Sequence, residues 1–312
     1  MNPRPPIDAE LAAHLPAENA SRPFVDGIEG VARLREAMAQ YEESVADVRA
    51  ATGARIEERD IGGVPCIVVR PPAGASSRGT VVNIHGGGLI AGSHRSVLSA
   101  NTAAAMELGC SMVVPDYRLA PEHPYPAALD DVHAVWRRTA DGGLGDDIDI
   151  SRLVLMGGSA GGLLAAGLTV RLIADAAPVP DALVLVQPQL DDRNAQPSTF
   201  ELPVAHFWDR PSNLQSWTWY LAGLHPVPEE AAPARATDLA GFPPTFVEIG
   251  QVDLFRDEEL DFVARLSRAG VPVEAHMWAG AFHGFDGLTT TSTAQRAIHD
   301  RLAYLRRALA VD

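Results

Sequence analysis

From residue 80 onward the chain repeats one pattern: a short apolar run of β-type residues, then a longer segment with helical spacing or irregular composition. The runs cover residues 80–84, 112–114, 153–156, 183–186, 245–249 and 273–278. Parallel strands cannot be joined by a tight turn, so each needs a crossover, and a helix laid on the sheet face is the common one. Runs that stay apolar without alternating belong to strands buried on both faces. The pattern predicts an α/β fold with a mostly parallel central sheet flanked by helices. Candidate helices cover residues 96–108, 127–139, 160–174, 257–269 and 293–310. Ahead of them, residues 55–60 and 64–70 read as strands around Gly62-Gly63, an antiparallel hairpin.

Two segments fall outside the rhythm. Val31, Leu34, Met38, Tyr41, Val45 and Val48 recur at helical spacing, which predicts one amphipathic helix over about residues 28–50. Residues 191–240 interrupt the alternation with prolines and an aromatic group, Phe207, Trp208, Trp217, Trp219 and Tyr220. So long a stretch between two strands reads as an inserted helical cap. The expected division is residues 1–50 as the N-terminal part of the cap, 51–190 as the first part of the core, 191–240 as the cap insertion and 241–312 as the second part of the core.

Composition narrows the partners. Forty acidic against twenty-five basic residues give a formal charge of -15, which repels phosphate backbones, so no nucleic-acid partner is expected. No apolar stretch reaches the length of a membrane span, and the Pro-rich start lacks a signal-type apolar region, so a cytoplasmic protein is expected. The two cysteines, Cys66 and Cys110, sit in or beside apolar runs and read as buried small side chains.

The chemistry gathers around Gly157-Gly158-Ser159-Ala160-Gly161-Gly162, which follows the run at 153–156 and opens a helical segment. A Gly-x-Ser-x-Gly at a strand-to-helix turn lifts the serine hydroxyl above the strand ends, at a helix N-terminus that favours negative charge. Ser159 is the candidate nucleophile. His85-Gly86-Gly87-Gly88, at the end of the run at 81–84, supplies free backbone amides, and Gly87, Gly88 and Ala160 are the candidate oxyanion donors. Each such donor lowers an acyl-transfer barrier by about 3 kcal/mol. No lysine accompanies these glycines, which argues against a phosphate-binding loop; His85 reads as a loop organiser. A hydroxyl needs a base, and His283, after the last strand-like run and before the last helix, occupies the loop position that a base requires. The third member must be a carboxylate at a strand end between the two in chain order, and Asp253 fits, with Asp191 and Asp192 as competitors. Asp257, Glu258 and Glu259 read as acids of a helix first turn.

These residues resemble the bacterial hormone-sensitive-lipase-like esterases of the α/β-hydrolase superfamily. The resemblance rests on His85-Gly86-Gly87-Gly88, on Asp116-Tyr117-Arg118-Leu119-Ala120-Pro121-Glu122 with Pro124 and Pro126, on residues 157–162, on residues 253–258 and on His283-Gly284-Phe285. It implies an α/β-hydrolase core under a cap built from the N-terminal segment plus the insertion. It also implies hydrolysis of short- to medium-chain carboxylic esters through an acyl-enzyme, no cofactor or metal, a small-molecule ester as partner, and a possible homodimer through the last strand. Cap aromatics shape the acyl pocket in similar proteins, so Leu89, Phe207, Leu254 and Phe282 are candidate pocket residues. Two departures stand out: Gly158 replaces the acid that usually precedes the nucleophile, and Leu254 replaces the frequent proline after the triad acid. An amidase or lactonase on the same triad, and a non-catalytic small-molecule receptor on the same scaffold, remain open from sequence.

Overall fold

Glycine and strand chemistry at residues 55–70 set the first edge of the sheet. In the computed structural model, which describes residues 5–15, 24–72, 78–145, 148–201 and 207–310, β1 (Arg55–Ile61) and β2 (Val64–Arg70) pair antiparallel in the register Ile61 with Val64. Before them lie α1 (Ala9–Ala12), α2 (Gly27–Ala39) and α3 (Val45–Thr52). The rest follows the alternation: β3 (Thr80–Ile84), α4 (Leu98–Leu108), β4 (Ser111–Pro115), α5 (Ala127–Ala140), β5 (Leu153–Gly158), α6 (Ala160–Ala174), β6 (Ala182–Val186), α7 (Arg210–Leu221), β7 (Thr245–Gly250), α8 (Arg256–Arg268), β8 (Val273–Trp278) and α9 (Ser292–Ala308).

The eight strands form one sheet in the order β1-β2-β4-β3-β5-β6-β7-β8. β2 also pairs antiparallel with β4, and every pair from β4 to β8 is parallel. Side chains alternate between two apolar cores. Val68, Val82, Ile84, Leu155, Leu185 and Val247 face one core with α5, α6 and α8. Ile67, Val69, Val81, Val154, Val184 and Phe246 face the other with α3, α4 and α9. Both layers exclude water, which is why the inner strands show no polar alternation. Cys66 and Cys110 are free, and burial pushes each thiol up to about 12. Among the described residues no helix is long and apolar enough to cross a membrane.

The N-terminal stretch departs from expectation. The single helix over 28–50 is two helices, because the chain leaves the helical path at residues 40–44. Ser44 adopts an extended backbone and its hydroxyl accepts from the Asp47 amide, restarting the chain as α3. Glu42 and Glu43 in the break accept hydrogen bonds from Ser93 (2.6 Å) and from the Ser99 amide (2.7 Å). The described part of residues 191–240 holds one α-helix, α7, started by Asp209, whose carboxylate accepts from Ser212 N at 3.0 Å. Short 3-10 turns at Pro197–Phe200 and Pro233–Arg235 and irregular chain make up the rest of its described part. Three contacts tie the N-terminal segment to this helix: the amides of Phe24, Val25 and Gly27 donate to Asp209, Ser212 and Gln215 at 2.9, 2.7 and 3.0 Å.

Candidate active site

The turn from β5 into α6 presents Ser159 with φ 54° and ψ -121°, a conformation that costs a non-glycine residue of order 1–3 kcal/mol. Neighbours over-determine it. Ser159 N donates to Val186 O at 2.8 Å, and Ser159 O accepts from Gln189 N at 3.2 Å, so the end of β6 grips both sides of the residue. Gly161 is needed because β3 passes close by: a β-carbon there would lie 2.0 Å from Ile84 O. Helix α6 can therefore sit against the sheet with its N-terminus at the serine.

The loop after β3 lies across this turn. The N–H groups of Gly87, Gly88 and Ala160 have no partner among the described residues, leaving three donors free beside Ser159. The loop is braced from below. His85 stacks on Tyr117 with ring centres 4.2 Å apart, its Nδ1 lies 2.8 Å from Gly86 O, and burial lowers its pKa to about 4. Tyr117 donates to His85 O at 3.0 Å. From α2, Arg35 donates to Ile90 O at 2.7 Å and to Ala120 O at 3.0 Å, and pairs with Glu122. The 116–122 segment is thus the floor under the glycine loop, and Arg118 fixes it to α5 through a bidentate bond with Asp131.

His283 sits in the loop between β8 and α9. Its Nε2 is 2.8 Å from Ser159 Oγ and its Nδ1 is 2.7 Å from Asp253 Oδ2. Asp253 follows β7, is 1% exposed, and uses its other oxygen to accept from Phe255 N at 3.1 Å. Phe255 stands edge-on to the imidazole at 5.1 Å. Three residues from three strand ends, 124 and 30 positions apart in sequence, are therefore in direct hydrogen-bond contact. The competing acids are occupied elsewhere: Asp191 with Arg193 and Asp192 with Arg235. His276, inside β8, contacts Glu274 and Asp300.

The four pocket candidates divide. Phe207 stacks at 4.8 Å on Phe282, the residue immediately before His283 in the chain. Leu89 and Leu254 have no accessible surface and belong to the core. Trp208, named from sequence only as one of the cap aromatics, has its indole on the glycine loop: a β-carbon on Gly88 would meet its Cη2 at 2.3 Å. Its Nε1 donates to Asn213 at 3.1 Å, and Asn213 also accepts from Gln189, so α7 and the end of β6 hold the ring in place.

The acids Asp257, Glu258 and Glu259 lie in the first turn of α8, as expected, but two of them point inward. Asp257 is a first-turn acid that accepts from Ser198 N at 2.8 Å, but Glu258 and Glu259 are fully buried. Glu258 accepts from the amides of Leu190 and Asp191 at 2.7 and 3.2 Å, anchoring the start of the insertion. Both Glu259 oxygens lack a partner. Burial holds both carboxyls well above the ordinary range. Their helix spacing announced a first turn but not that the turn points inward. Among the described residues no group of three or more His, Cys, Asp or Glu side chains could hold a metal ion.

A profile of the α/β hydrolase fold family matches residues 81–287. The chain is 33% identical to the carboxylesterase NlhH of Mycobacterium tuberculosis over 322 aligned positions, covering 98% of this chain and 97% of that protein. The crystal structure of esterase LipW from Mycobacterium marinum superposes with a TM-score of 0.86 at 34% identity, covering 98% of each chain. An esterase from the bacterial hormone-sensitive lipase family superposes at 0.73 with 26% identity, over 89% of this chain and 98% of that one. With that sheet order, that elbow and those relatives, the chain belongs to the hormone-sensitive-lipase-like esterases of the α/β-hydrolase fold and is a carboxylic-ester hydrolase.

Proposed function

We propose that ester hydrolysis runs through an acyl-enzyme on Ser159. His283 takes the hydroxyl proton as Oγ attacks the ester carbonyl, and the developing imidazolium is stabilised by the Asp253 carboxylate, which does not itself accept the proton. The tetrahedral oxyanion lies against the amides of Gly87, Gly88 and Ala160, aided by the positive end of α6. Collapse passes the proton from His283 Nε2 to the leaving alkoxide. A water then repeats the sequence on the acyl-enzyme, releasing the acid and regenerating Ser159. The unbroken relay of 2.8 and 2.7 Å from Oγ through the imidazole to the carboxylate carries this reading.

Residues 1–50 and 191–240 act in it as one cap over the strand ends, a role supported by the three amide contacts between the segment at 24–27 and α7. Trp208 on the glycine loop and the Phe207–Phe282 stack beside the base close the space around the serine with rigid rings. Such walls favour short to medium acyl chains. Esters rank above amides because an alkoxide leaves with less protonation than an amine. Ser159→Ala should lower kcat for p-nitrophenyl butyrate by about a millionfold, as loss of a triad nucleophile does, and a variant as active as the native enzyme would end the triad reading. A series from acetate to decanoate should decline at its long end, and a matched anilide should be slower than its ester. A decanoate optimum or a faster anilide would overturn the substrate class.

A further inference from the structure

The end of β6 touches both reacting partners. Val186 O holds the Ser159 amide at 2.8 Å, and the next residue, Gln187, reaches the loop of the base. Gln187 is 2% exposed and has φ +47°, a left-handed conformation that a non-glycine residue adopts at a cost. Its backbone N–H donates to Glu248 O at 2.8 Å, extending the β6–β7 ladder by one residue. Both ends of its carboxamide are used. Oε1 accepts from Gly284 N at 2.6 Å, the amide next to His283, and Nε2 donates to Asp286 Oδ1 at 3.3 Å. Asp286 in turn accepts from Arg301 of α9 at 2.8 Å, and the same Arg301 nitrogen donates to Glu248 Oε1 at 2.8 Å. Gln187, Asp286, Arg301 and Glu248 form a closed ring beneath the His283 loop.

We propose that Gln187 is a positioning residue that sets the distance between His283 and Ser159, by carrying the base loop on the same strand end that carries the nucleophile. This role rests on the acyl-enzyme reading above. The side chain fits the task because a carboxamide offers an acceptor and a donor together. A methionine has neither, an asparagine is one methylene too short, and a glutamate would set a second carboxylate against Asp286. An apolar side chain of the same size would fill the space but leave the Gly284 N–H and Asp286 Oδ1 without these partners. The strained backbone aims the carboxamide at Gly284, whose neighbour donates or accepts every proton in the cycle.

The test is Gln187→Met, which keeps volume and removes both hydrogen bonds, assayed with p-nitrophenyl butyrate at a concentration of active sites counted by fluorophosphonate titration. Misplacement of a reacting group by about an ångström costs on the order of a hundredfold. The expected result is a ten- to hundredfold fall in kcat per titrated site with KM within about twofold of native. A kcat per titrated site within twofold of native overturns the proposal, including the case in which fewer sites titrate, because that is loss of folded protein and not of alignment. Should Gln187→Met give no folded enzyme, Gln187→Leu carries the same readout and the same two outcomes, since it too removes both the acceptor facing Gly284 and the donor to Asp286. Ser159→Ala measured alongside separates the failures. If that variant keeps activity, the nucleophile assignment falls; if it is dead while Gln187→Met behaves as native, the positioning role alone falls.

Discussion

Asp253→Asn changes one atom at the centre of the relay and leaves its shape intact. Asp253 Oδ1 accepts from Phe255 N at 3.1 Å while Oδ2 faces His283 Nδ1 at 2.7 Å, in a side chain with no exposed surface. An asparagine must put its single oxygen toward one of these donors. Keeping it on Phe255 N points the NH2 group at Nδ1, so the imidazole must accept there and carry its proton on Nε2, the nitrogen 2.8 Å from Ser159 Oγ. That tautomer cannot take the serine proton. The flipped amide would restore the tautomer but set two donors against each other at Phe255, leaving a buried N–H unsatisfied at about 1–3 kcal/mol, so the productive form is a minority of roughly one in ten to one in a hundred. Loss of the negative charge that stabilises the imidazolium adds to this. Together they should reach the ~10⁴-fold loss in kcat that this change produces in a Ser-His-Asp triad, about 5.5 kcal/mol of barrier. Initial rates on p-nitrophenyl butyrate, with a melting curve to verify the fold, measure it. A variant with kcat within tenfold of native and an unchanged Tm would show that the carboxylate does not control the tautomer, and the argument from the two distances would fail.

Gly88→Ala should cost about 10²–10³ in kcat, the effect of losing an oxyanion donor, because φ +62° strains an alanine and its methyl would lie 2.3 Å from the Trp208 ring; Trp208→Ala in the same chain should recover part of the rate, and no recovery would mean that the indole is not what the methyl strikes. Glu259→Gln addresses stability through pH. Burial raises this carboxyl in the folded protein, whereas in the unfolded chain it titrates near about 4.3. Above that pH the folded state holds a proton that the unfolded state has released, so stability falls by up to about 1.4 kcal/mol per pH unit until the folded pKa is passed. The variant lacks that loss, so its Tm relative to native should rise between pH 5 and pH 8, and a Tm difference that stays flat across this range would refute the buried neutral acid.

Period and punctuation made the sheet legible. The six runs all became parallel strands and the Gly62-Gly63 hairpin formed as read; the inner strands β3 to β7 are nearly wholly buried and so hold few polar side chains, while the edge strands β1 and β8 are partly exposed. Ser159, Asp253 and His283 meet because the turns after parallel strands open on one edge of the sheet, and each of the three follows such a strand. Hydrophobic spacing failed where it ran through a break. Val45 and Val48 continue the stripe of α2 in register, and nothing in the stripe marks the restart, whereas Ser44 with Asp47 three residues later did. It failed again for polar groups that face inward. Glu248, Glu258 and Gln187 carry the side chains of a surface, and their burial goes with partners distant in sequence, such as Arg301, the Leu190 amide and the Gly284 amide, while Glu259 is buried with neither oxygen partnered.

The departure at Gly158 can be weighed in the same terms. A β-carbon there would have open space, its nearest neighbour being Val186 O at 3.8 Å, so crowding does not demand glycine as it does at Gly161. With no acid at 158, the backbone of Ser159 is fixed by backbone groups, its amide on Val186 O and its carbonyl under the Gln189 and Leu163 amides. Those bonds do not titrate. The strand end that makes them also carries Gln187 and, through it, the base loop, so the alignment of hydroxyl and imidazole depends on β6 and on the ring of Asp286, Arg301 and Glu248 behind it. In this chain the brace on the catalytic turn lies behind the serine and the histidine together, and not in a carboxylate beside the serine.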